Sequence, residues 1–91
     1  MSNNIISRLK KVFKNWPDNY FYIMEDQCDN NKLRLHYHNH EIKIEHAEKI
    51  GMIFVNHYWS KRDKPILFSK PFNDKDKDIV GVIENYIIAS S

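Results

Sequence analysis

The sequence contains a single cysteine, Cys28. No disulfide can form within the chain, so its stability has to come from packing, which suits a reducing compartment. Glycine occurs twice and proline three times, leaving few points where the backbone is loosened or broken. No stretch approaches the roughly 18 consecutive apolar residues of a membrane span. The opening Met-Ser-Asn-Asn-Ile-Ile-Ser-Arg holds no apolar run of signal length. A soluble, cytoplasmic protein without a membrane partner is expected. Glycine-rich phosphate loops, nucleophile elbows and paired acids in apolar surroundings are all missing, so no catalytic residue, enzyme activity or cofactor is expected.

What is present is a chain of 91 residues, 42% apolar and 13% aromatic, enough for one domain (1–91) around one modest core. The net charge of +2 is unevenly spread. Arg8, Lys10, Lys11 and Lys14 give the first seventeen residues four positive charges and no acid, while all twelve acids fall later.

Residues 3–16 read as an amphipathic helix. Ile5, Ile6, Leu9, Val12, Phe13 and Trp16 make one stripe at the 3.6-residue period. Ser2, Asn3 or Asn4 can cap it, and Pro17 stops it. Tyr20–Gln27 follows as a strand, with Phe21 and Ile23 preferred over Tyr22 and Met24 for the core side.

Lys32–His46 alternates polar and apolar residues, the pattern of a hairpin with one buried face. A turn at Asn39-His40 sets Tyr37 opposite Ile42 and Leu35 opposite Ile44 on that face. The other face then pairs His38 with Glu41, His36 with Lys43 and Arg34 with Glu45. Residues 47–60 fit both a helical stripe and a strand. A strand over 52–59 is preferred, because Gly51 would cost about 1 kcal/mol inside a helix. Ser60–Lys64 is then a loop into a second strand over Pro65–Ser69, where a proline at the first position is tolerated. Asn73 or Asp74 would cap a final helix running to about Ala89, with Ile79, Val80, Ile83, Tyr86 and Ile87 as its buried stripe. The expected architecture is α+β: an antiparallel meander of four to five strands flanked by an N-terminal and a C-terminal helix, both on one sheet face.

An uncovered sheet face would carry Arg34, His36, His38, Lys43, Glu45 and Tyr58, a mixture of aromatic and charged groups that suits a protein partner. The chain itself would be a monomer or homodimer. Lys- and Asn-rich compact chains without catalytic motifs include stoichiometric inhibitors of host enzymes or toxins carried by mobile elements, and that is the form expected of this function. The alternative is RNA or DNA binding through Arg8, Lys10, Lys11 and Lys14, with Lys61 and Arg62 in the loop. The helix–sheet–helix order resembles that of a double-stranded-RNA-binding domain. Here, however, Asp74, Asp76 and Asp78 open the last helix, where such domains present lysines to phosphate. His36, His38 and His40 alternate as metal ligands on a strand could, but no recognised ligand spacing accompanies them, and no metal is expected.

Overall fold

Six buried aliphatic and aromatic side chains on two helices, matched to the apolar side of a sheet, define the architecture in the computed structural model. It describes residues 4–38, 40–59 and 66–89. The elements are helix α1 (Ile5–Lys14), strands β1 (Tyr22–Ile23), β2 (Lys32–Tyr37), β3 (His40–Ala47), β4 (Met52–Trp59) and β5 (Ile66–Asn73), then helix α2 (Ile79–Ala89). All five strands are antiparallel and lie in chain order in one sheet. This is the expected α+β arrangement.

Asn4 caps α1, its side-chain oxygen accepting from the amides of Ile6 (2.8 Å) and Ser7 (3.2 Å). The other two candidate caps, Ser2 and Asn3, lie outside the described residues. Ile6, Leu9 and Phe13 of α1 and Ile79, Ile83 and Ile87 of α2 are buried against the inner sheet face. That face supplies Leu33, Leu35 and Tyr37 from β2, Ile42 and Ile44 from β3, and Ile53 and Val55 from β4. Each such aliphatic side chain contributes about 1.5–3 kcal/mol through burial. Phe21 is buried at the edge of this core, Ile23 packs against it, and Tyr22 turns outward, so the preferred side of the first strand is observed.

Three expectations change. The strand expected over Tyr20–Gln27 is reduced to two residues, because Glu25–Gln27 closes into a single 3-10 turn. Glu, Asp and Gln gain little in a strand. Cys28 takes over the free edge of β2 there: its thiol donates to the Met24 carbonyl (3.2 Å), and its sulfur accepts from the Arg34 amide (3.5 Å).

The central hairpin pairs Tyr37 with His40, Leu35 with Ile42 and Leu33 with Ile44, two residues away from the expected register. Tyr37 already pairs with His40, so His40 belongs to β3 and not to the turn, and His38 leaves the strand at φ 51°; Asn39 lies outside the described residues. A shift of two keeps every side chain on its face, so alternation cannot distinguish the two registers. The observed one sets Leu33 against Ile44 and carries His46 past the end of β2.

The third change is at the last helix, which starts at Ile79, not at Asn73 or Asp74. Pro71 and Phe72 continue β5, an edge strand where the missing proline N–H is tolerated, so all eight residues of β4 find a partner. The Asn73 and Asp76 side chains then accept from the Lys75 amide (2.8 Å) and the Asp78 amide (3.0 Å), turning the chain before the helix can begin. Gly81 makes room for the Asp78 carboxylate, since a Cβ there would lie 2.7 Å from Asp78 Oδ1. The strand expected over 52–59 is observed. The Ser60–Lys64 loop and the strand start at Pro65 lie outside the described residues.

Leu35→Ala or Ile44→Ala should each cost about 2–4 kcal/mol, read as the loss of denaturation free energy. A loss below about 1 kcal/mol from either would contradict the central packing. Tyr37 gives the opposite expectation. Its hydroxyl is buried without a hydrogen-bond partner among the described residues, and burial pushes its pKa up to about 12. Tyr37→Phe removes an unsatisfied group and should leave stability unchanged or raise it by up to about 1 kcal/mol, measured the same way.

Candidate partner-binding face

With both helices on the inner side, the outer side of the sheet is left without a helix among the described residues. Its residues follow from the register. One row across the strands is Tyr22, His36, Glu41 and Tyr58; the next is Arg34, Lys43, Asn56 and Ser69; a third is Lys32, Glu45, Phe54 and Pro71. Five of the expected partner-binding residues, Arg34, His36, Lys43, Glu45 and Tyr58, therefore share this face.

His38 does not join them. It sits exposed at the hairpin turn, with its ring edge-on to Tyr20 at 5.4 Å on the inner side. The positive φ it takes at the shifted end of β2 removes it from the alternation.

The direct pairing of Arg34 with Lys43 would set like charges opposite each other. One diagonal contact across the strands and one contact along β3 resolve this. Arg34 binds Glu41 through two bonds, Nη2 to Oε2 at 2.8 Å and Nε to Oε1 at 3.2 Å, and it also donates to Gln27. The hydrogen bond to Glu41, then the nearby negative charge, raises the Arg34 pKa. Lys43 binds Glu45 at 3.1 Å. Each pair is partly solvated and adds little stability, but each holds its charges in a fixed place. Tyr22 is 62% exposed, and its ring leans on His36 at 5.0 Å between centroids. Tyr22, Lys32, Glu41, Met52, Phe54 and Asn56 also lie on this face and are not among the expected site residues. Phe54 could have been found from the strand reading of 52–59, since Ile53 and Val55 inside require Phe54 outside.

The basic residues of the nucleic-acid alternative lie elsewhere. Arg8, Lys11 and Lys14 are exposed on α1, in the opposite layer. Lys10 is tied to Glu25 at 2.8 Å, a hydrogen bond that raises the lysine's pKa and lowers the carboxylate's. Lys61 and Arg62 lie outside the described residues.

The remaining histidines separate. His40 and His57 meet on the inner face, Nδ1 to Nε2 at 2.6 Å, with Tyr37 stacked on His40 at 5.0 Å. His46 bonds Asp74 at 2.9 Å. Among the described residues no three His, Cys, Asp or Glu side chains converge as a metal cluster, and no helix is long and apolar enough to cross a membrane. No protein-family model, curated sequence or solved structure matches this chain.

Burial, then the charge of His40, lowers the His57 pKa; burial, then the charge of His38, lowers that of His40. The folded chain thus holds these protons less tightly than the unfolded one. Their stabilising contribution is complete above the ordinary histidine pKa of about 6.5 and is lost as pH falls below it. Melting temperature should therefore drop between about pH 7 and pH 5.5, before ordinary carboxylates titrate, and His57→Gln should flatten that drop. A drop of equal size in the variant would assign the effect to other groups.

Proposed function

We propose that this chain is a non-enzymatic binding module that docks another protein on the outer face of its sheet. The observation that carries the reading is the composition of that face in three dimensions. Tyr22, Phe54 and Tyr58 supply aromatic area, while Arg34–Glu41 and Lys43–Glu45 are already paired. Aromatic side chains and arginine are the residue types most enriched at protein interfaces. A surface of both signs suits a partner that also carries both signs. A nucleic-acid backbone presents one sign and rewards unpaired cations. Held in place by their partners, Arg34 and Lys43 also lose less side-chain freedom when a partner docks. In this reading the module acts by occupying a surface of its partner, as a stoichiometric inhibitor of an enzyme or toxin would.

The competing surface is α1, where Arg8, Lys11 and Lys14 are exposed, and two sets of variants separate the readings. Arg34→Glu with His36→Ala should abolish capture of a protein partner from nuclease-treated lysate, at a stability cost below about 1 kcal/mol. Charge reversal at Lys11 and Lys14 should leave capture intact. Retention of RNA or DNA that falls steeply with salt, and that disappears in the helix variant, would overturn the docking face in favour of nucleic-acid binding.

A further inference from the structure

β5 is the last strand of the sheet, and among the described residues no strand pairs with its outer edge. Which backbone groups that edge presents follows from one bond. The Asp74 amide donates to the Gly51 carbonyl at 3.0 Å, next to the pair of Met52 with Asn73. Hydrogen-bonded and non-hydrogen-bonded pairs alternate along an antiparallel ladder. Phe72, Lys70, Phe68 and Ile66 therefore bond to β4, while the amides and carbonyls of Leu67, Ser69 and Asn73 point away from it. Pro71 falls in the outward set, so its missing N–H costs β4 nothing.

Side chains alternate with the same period. Phe68 lies opposite His57 and so on the inner side, yet it is 53% exposed. Helix α2 meets β5 at the other end of the strand, where Tyr86 stands edge-on to Phe72 at 5.5 Å. Lys70 leans the same way, its Nζ 5.8 Å from the Phe72 ring centroid. The Ile66–Ser69 half of the edge thus combines outward donors and acceptors with an uncovered ring, which is a template for another strand.

We propose that this strand is β5 of a second copy of the chain, paired antiparallel across a two-fold axis at Phe68. An antiparallel edge is self-complementary, because the axis brings each outward group onto its counterpart and closes the assembly at two chains. Outward residues oppose only outward residues, which leaves few registers. Centred on Lys70, two like charges would stand directly opposite each other. Centred on Ser69, Pro71 would oppose Leu67 and leave the Leu67 carbonyl of each chain without a donor. Centred on Phe68, Leu67 opposes Ser69 twice, and each such pair exchanges both of its backbone bonds. Lys70 then stands opposite Ile66, not another charge. The two Phe68 residues form a non-hydrogen-bonded pair, the closer kind, and their exposed rings cover each other. Antiparallel pairing also carries the second copy's α2 to the far end of the junction, so the helices do not collide. The two sheets become one, with both outer faces on the same side, and the docking face itself takes no part in the contact.

The test is sedimentation equilibrium of the whole chain from micromolar to millimolar concentration, where a monomer–dimer equilibrium is expected. Ser69→Pro removes half of the inter-chain hydrogen bonds and none within the chain, so it should weaken dimerisation by about tenfold or more. Phe68→Glu sets two carboxylates against each other at an exposed position and should leave only monomer. Both variants should keep the circular-dichroism spectrum of the parent. In a mixture of isotope-labelled and unlabelled parent chains, the Phe68 ring protons should show nuclear Overhauser contacts to Phe68 of the other copy. A monomer at every concentration would overturn the dimer. So would a dimer that Ser69→Pro leaves intact, or inter-chain contacts at Phe54 or Tyr58 in place of Phe68.

Discussion

The stability of this molecule rests on a single apolar interface, between the inner face of β2–β4 and two short helices lying side by side on it. Each helix contributes three buried side chains, Ile6, Leu9 and Phe13 on one and Ile79, Ile83 and Ile87 on the other. A helix of ten or eleven residues is marginal alone. Without the sheet neither would persist, and without both helices the Leu and Ile face of the sheet would lie open to water. The two layers are therefore mutually dependent, and the aromatic group of Phe13, Trp16, Tyr20, Phe21 and Tyr37 closes their rim beside β1.

That one-sided arrangement creates the outer face. Once both helices take the same side, the other side is left without a helix among the described residues. Its charges are paired as Arg34–Glu41 and Lys43–Glu45, with Tyr22, Phe54 and Tyr58 among them. Arg34 shows the economy of this, since one guanidinium ties β2 to Glu41 on β3 and to Gln27 in the turn after β1. The cationic face of α1 points the other way.

The two-residue period of β2–β4 was legible without coordinates, and so were both helical stripes, because burial on one side imposes a strict alternation that few other structures produce. Five of the six residues expected to share the outer face do share it. What alternation leaves undetermined is any shift by an even number, and the hairpin register differs by two for that reason. His38 was lost from the face through the same shift. The extent of β5 was not legible either, because Pro71 reads locally as a strand end. Only the eight paired residues of β4 show that it is tolerated. Asn73, Asp74, Asp76 and Asp78 carried a real capping signal, but several adjacent caps compete, and tertiary contacts to Gly51 and His46 decide which of them opens a helix.

The histidines are ordered by the same period once the register is known. Along β3 the inward residues are His40, Ile42, Ile44 and His46, a histidine at each end and isoleucine between. The middle positions lie beneath the helices and admit no polar atom without a partner. At the ends that cover runs out, and a side chain is needed that is apolar along its body and polar at its tip. Histidine meets both demands, and each end supplies its own partner: His57 from β4 at one, Asp74 from the turn before α2 at the other. Histidines that look clustered in sequence at positions 36, 38 and 40 are thus divided among the outer face, the turn and the inner face. The chemically connected pairs are those separated by seventeen and twenty-eight residues. Spacing along the strand describes which face a histidine occupies, whereas its chemistry is set by where along the sheet the helices stop covering it.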